Sequence, residues 1–295
     1  MQFKSSGMRI LFGILFLLSS SLVSGQADTL FLGELKKYIY EKTDVAIEGN
    51  FYSTRSEQDR PYIYLYISEA NRVKKPDRFP NHFMFYGFNS ARAKKDQKKY
   101  RKQGYHTFCY ITNGNSAATI NTRLMSYSKE AIAFVVFHEY VHRYIGQQKI
   151  RIAYEYTEAL CDAVAQYCCM DFFSSHDTSL FHLAQRQKLN NESIYHKIND
   201  TIELINSGNS FVGNPYDSCK ILISERLKTC NEFQKDRFDY EVNNAFLLKN
   251  SYYSWNYFSL SEILAKQNSL KEFLEIIACL PKETDEYDAY LEKYK

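Results

Sequence analysis

The segment Phe137-His138-Glu139-Tyr140-Val141-His142 sets two imidazoles and a carboxylate at the spacing His-Glu-x-x-His. On an α-helix, positions i and i+4 lie one turn apart on the same face. His138 and His142 can therefore offer two nitrogens to one tetrahedral Zn²⁺. Glu139, beside the first of them, can reach a metal-bound water as general base. The chemistry served by this spacing is hydrolysis by a metal-activated water.

Two histidines do not complete such a site, because catalytic zinc takes a third protein ligand and keeps one position open for water. Glu158 stands sixteen residues after His142, in Thr157-Glu158-Ala159-Leu160-Cys161-Asp162-Ala163-Val164. This stretch reads as a second helix, with Glu158 and Asp162 at i, i+4 on one face. Glu158 is expected to bind the metal, and Asp162 to accept the outer N–H of a ligand histidine and orient its ring. Glu155, at i, i+3 to Glu158, is a rival ligand; with Glu158 on the metal it can instead anchor a substrate α-amine. No His-x-x-Gly-x-x-His extension follows His142 and the next histidine is His176, so the spacing favours a carboxylate as third ligand.

These residues need elements to position them. The motif helix is expected from near Ser128 to Ile145, with Gly146 as its stop. Upstream, residues 30–42 read as an amphipathic helix. Tyr62 to Ile67 and Phe83 to Tyr86 read as strands. Asn89 to Gln103 reads as a polar helix with Ser90 near its cap and Gly104 closing it. Tyr105 to Thr112 reads as a strand, Asn113-Gly114 as a turn, and Ala117 to Ile120 as a returning strand on whose edge a peptide could lie. Everything beyond Ile152 is helix-rich. The expected fold class is therefore helix-rich α+β: a zincin-like catalytic unit with a small antiparallel sheet, followed by a C-terminal helical bundle. Residues 26–175 form the N-terminal and zinc-binding unit, and residues 176–295 a helical part packed on it. With 11 Gly and 5 Pro against 25 Tyr and 21 Phe, composition also favours helices over a β-sandwich.

Lys4 and Arg9, the apolar run Ile10 to Leu18 and the small residues around Val23-Ser24-Gly25 read as a signal peptide over residues 1–25. Its core is short for a membrane span, so an exported, periplasmic or extracellular chain without a stable transmembrane span is expected, a retained anchor being the alternative. Removing this segment lowers the formal charge from +3 to +1. Near-neutrality argues against a nucleic-acid partner, and the basic run Arg92 to Lys102 reads as a solvated helix face. Among the seven cysteines, Cys219 and Cys230 make a plausible pair, while Cys161 and Cys168 read as buried on a helix face.

The chain resembles the bacterial predicted aminopeptidases, a gluzincin-type group of exported zinc metallopeptidases. The resemblance is carried by Phe85-Tyr86-Gly87-Phe88-Asn89-Ser90-Ala91-Arg92, Gln103-Gly104-Tyr105-His106-Thr107, the motif helix and Glu158-Ala159. It continues in Asn243-Asn244-Ala245, Tyr253 and the segment Phe273 to Pro281. It spans most of residues 60 to 290. It implies Zn²⁺ held by His138, His142 and Glu158, Glu139 as the catalytic residue, and a peptide or protein substrate. Gluzincin sites add a Tyr or His that stabilises the oxyanion; Tyr253 is the candidate here, with His182 second. The chain departs from the family in setting its Glu-ligand segment a few residues further from the second histidine, which keeps Glu155 open as a ligand. An exported zinc metallopeptidase is thus expected, with aminopeptidase action as its narrower form. The alternatives are a catalytically inactive zinc-site envelope or binding protein and a zinc hydrolase of non-peptide amides or esters.

Overall fold

The computed structural model describes residues 30–46, 62–74, 83–112, 126–208, 213–238 and 240–295. The expected signal peptide, the Asn113-Gly114 turn and the Ala117 to Ile120 strand lie outside them. The chain divides into two units, Met1–Ala46 and Ile47–Lys295. The first contributes helix α1 over residues 30–43, followed by Asp44 with φ +57°.

In the second unit, β1 (Tyr62–Ser68), β2 (Phe83–Phe85) and β3 (His106–Thr112) form an antiparallel sheet of order β2-β1-β3, with Leu65 opposite both Met84 and Cys109. Side chains alternate faces along a strand. Met84, Leu65 and Cys109 therefore share one face, while Tyr64, Tyr66, Phe108 and Tyr110 share the other. Helix α2 (Ser90–Lys102) covers the first, its Tyr100 hydroxyl 3.7 Å from the Met84 sulfur. Helix α8 (Asn244–Ser254) covers the second, with Phe246 edge-on to Phe108 and Lys249 over Tyr110. Cover on both faces explains why β1 is buried at consecutive positions instead of alternating. Asn89, not Ser90, caps α2: its side chain accepts from the Arg92 N–H at 3.0 Å.

The motif helix α3 spans Lys129–Gln147 and the next, α4, Tyr154–His176. Between Ala159 and Cys169 the α4 sequence is apolar nearly all round, which demands burial on every side. Helices α3, α5 (Thr178–Asn206), α8 and α9 (Tyr257–Lys266) supply it. The remaining helices are α6 (Asp217–Leu227), α7 (Glu232–Phe238), α10 (Leu270–Ala278) and α11 (Tyr287–Leu291). Among the described residues, no helix is long and apolar enough to cross a membrane.

Gly146 does not stop α3. The helix runs through it, and the left-handed turn falls on Lys149 at φ +52°, with Ile150 N–H bonded back to the Ile145 carbonyl at 3.0 Å. A side chain is disfavoured in that conformation. Lys149→Gly is therefore expected to stabilise the fold by about 0.5–1 kcal/mol, after the entropy glycine adds to the unfolded chain. A higher urea midpoint at unchanged slope is the check, and a lower one would contradict the assignment.

The expected Cys219–Cys230 pair is also corrected, since none of the seven cysteines is in a disulfide. Cys219 bonds to Thr201 and Cys230 to Asn190, both on α5. Those sites are eleven residues apart, about 16 Å along a helix axis, well beyond disulfide reach.

Candidate metal centre

Helices α3 and α4 pair His138 with Asp162 and His142 with Glu158. The index rises on one helix as it falls on the other, so they run antiparallel and face each other through their i, i+4 pairs. The two Nε2 atoms stand 3.2 Å apart. His138 Nε2 lies 3.4 Å from Glu158 Oε2, and His142 Nε2 lies 3.6 Å from Glu158 Oε1. Donors about 2.1 Å from a tetrahedral ion are separated by roughly 3.4 Å. Each of the three spacings is close to that edge length, with the two histidines facing different oxygens of the one carboxylate, so these residues fit zinc with Glu158 reaching it through one or both oxygens. Some accessible surface remains at both imidazoles, 12% for His138 and 19% for His142.

Behind them, His138 Nδ1 lies 2.8 Å from Asp162 Oδ1. That contact keeps a proton on Nδ1, so Nε2 is the nitrogen that would give its lone pair to a metal. The other Asp162 oxygen accepts from Arg237 Nη2 at 2.8 Å and from the Tyr195 hydroxyl. Burial would raise the Asp162 carboxyl, but Arg237 and then His138 hold it below the usual carboxylate range. Burial likewise opposes ionisation of Glu158, yet hydrogen bonding to His138 and the charge of His142 bring it to about 2. His138 would fall on burial alone; Asp162 and Glu158 lift it from 6.5 to about 10.

Metal-free protein at neutral pH thus carries an imidazolium at His138 between two carboxylates. A raised histidine contributes stability that is fully present below its unfolded value of 6.5 and is lost as pH rises through about 10. A metal has to displace that proton. Zinc binding at pH 7 is expected to release about one proton, measurable by calorimetry in buffers of different ionisation enthalpy. Release of none would contradict the His138 assignment.

Glu139 is half-buried on α3, and its charge acts on Arg143 one turn on and on the Cys161 thiol. Tyr253, from α8, stacks on His138 with ring centroids 6.3 Å apart and planes at 24°. Glu155 is exposed in the first turn of α4, and the carboxylate against both histidines is that of Glu158. His182 is exposed on α5 beside Phe181, and its ring contact is there and not with the histidine pair.

The sequence reading passed over several neighbours. Arg237, Tyr195 and Lys249 surround Asp162 and Tyr253. The phenols of Tyr66 and Tyr154 are pushed up by burial and also by Glu158, which places them near its carboxylate. Cys161 is fully buried, and its sulfur and one donor atom each of His138 and His142 all lie within 4.8 Å of one another. It therefore competes with Glu158 as third donor. The Glu158 oxygens are the better placed, at 3.4 and 3.6 Å from the imidazoles. Cys161 sits at i+3 from Glu158, a spacing that puts it on the same helix face.

No protein-family model, curated protein or solved structure matches the chain.

Proposed function

We propose that this chain is a zinc-dependent hydrolase of peptide bonds, built as a zincin-like unit with His138, His142 and Glu158 as metal ligands. The observation that carries the reading is the set of three donor spacings, 3.2, 3.4 and 3.6 Å, between residues of facing helices. Glu139, a residue that a structural site does not need, supports it. Zinc bound there would polarise a scissile carbonyl and acidify a water. Glu139 takes the water's proton and passes it to the leaving amine. Asp162 keeps His138 in the Nδ1–H tautomer, so Nε2 faces the metal. The Tyr253 phenol, held against His138, is suited to donate to the developing oxyanion. Glu155, exposed one turn before Glu158, would anchor a substrate α-amine, making the enzyme an aminopeptidase acting on exported or external peptides.

A second reading, a zinc-binding protein without turnover, draws on Cys161, since a fourth protein donor would close the water position. Zinc content of the purified protein, followed by turnover of a peptide library, separates the two. One zinc per chain with cleavage supports the enzyme. Zinc without cleavage favours the binding protein, and a chain that takes up no zinc sinks both.

A further inference from the structure

We infer that Arg237 is a positioning residue that ties the metal-ligand half of the site to its tyrosine half. The inference rests on the zinc-hydrolase reading. Arg237 comes from α7, far along the chain from α3 and α4, and it is buried, with 7% of its side chain accessible. Its Nη2 donates to Asp162 Oδ2 at 2.8 Å and to the Tyr195 hydroxyl at 3.0 Å. Its Cζ lies 4.1 Å from the Tyr253 ring centroid, nearer than to the rings of Phe238 at 5.3 Å or Tyr195 at 5.8 Å. Asp162 and Tyr253 are two supports of His138: one accepts its Nδ1–H, and the other stacks on its ring. A single guanidinium thus touches both. The fork and the flat face of arginine make these two contacts at once, which an ammonium group cannot do.

A guanidinium that only balanced the Asp162 charge would need no ring contact. Lys249 provides the internal comparison. Its Nζ sits 4.3 Å from the Tyr253 centroid and 4.2 Å from that of Tyr110, and its hydrogen bond is to Asn250, not to Asp162. Lys249 feels the charges of Glu158 and Asp162 at longer range, but its hydrogen bond does not reach the carboxylate that holds the histidine.

The test is zinc affinity by chelator competition for wild type, Arg237→Gln, Arg237→Lys, Asp162→Asn and the Asp162→Asn/Arg237→Gln double variant. Arg237→Gln is expected to weaken zinc binding by about 10- to 100-fold, the usual range for a residue behind a ligand. Arg237→Lys keeps the charge, guards against a folding failure, and should recover only part of the affinity. In the Asp162→Asn background the glutamine change should weaken zinc binding less than it does in wild type, because the hydrogen-bond route to His138 is already lost and only the contact with Tyr253 remains. With peptide substrate, Arg237→Gln reloaded with saturating zinc should lower kcat more than it raises KM. Wild-type zinc affinity in Arg237→Gln, or strictly additive losses in the double variant, would overturn the role of Arg237. Failure of wild type itself to bind zinc would overturn the metal reading on which it rests.

Discussion

Glu139→Gln is expected to bind zinc as tightly as wild type and to cleave peptides about 10²–10⁴-fold more slowly, the usual contribution of a general acid–base. The two effects separate because Glu139 does not share the donor positions. The carboxylate between the imidazoles is Glu158, while Glu139 sits beside His138 on α3, half-buried and within electrostatic reach of Arg143 and Cys161. Glutamine keeps the shape and cannot take a proton. The measurements are zinc stoichiometry and kcat/KM on one peptide for both proteins. Equal turnover would remove Glu139 from the mechanism. Lost zinc would place Glu139 among the ligands and displace Glu158.

What could be read in advance was what a helix makes local. His138 with His142, and Glu158 with Asp162, are each one turn apart, and the antiparallel pairing of the two helices follows once both turns address one ion. The same rule put Cys161 on the Glu158 face, but burial on a helix face and proximity to a metal look alike in sequence, and Cys161 has both properties. Gly146 misled because glycine is tolerated inside a helix when its neighbours are packed, as Tyr144 is. Cys219 and Cys230 looked adjacent, yet Cys219 sits within α6, and the rest of that helix carries the chain along α5 before Cys230. Arg237 left no pattern at all. Its partner Asp162 is 75 residues away, and nothing periodic in α7 points to it. Long-range ion pairs of this kind are settled by how the bundle closes, which is a property of the packed chain and not of any window along it.

Glu158→Gln is expected to lower zinc affinity by more than about 100-fold, since loss of a ligand exceeds the 10–100-fold typical of a supporting residue. Cys161→Ser is expected to leave it nearly unchanged. The two donors differ in charge as well as distance. Glu158 is held ionised, its carboxyl at about 2 against the cost of burial, because both histidines face it. Burial pushes the Cys161 thiol well up, and Glu158, Glu139 and Asp162 push it further by disfavouring a fourth anion beside them. A metal between these helices therefore meets a ready carboxylate and a thiol that has to lose its proton against three negative charges. Cobalt substitution makes the difference visible, because a thiolate ligand adds a charge-transfer band in the near-ultraviolet and a carboxylate does not. Wild type without that band, together with a collapse of affinity in Glu158→Gln, leaves the fourth position to water and the site able to hydrolyse. A band present in wild type and lost in Cys161→Ser would put sulfur at that position, close the site, and turn the chain from an enzyme into a metal-binding protein.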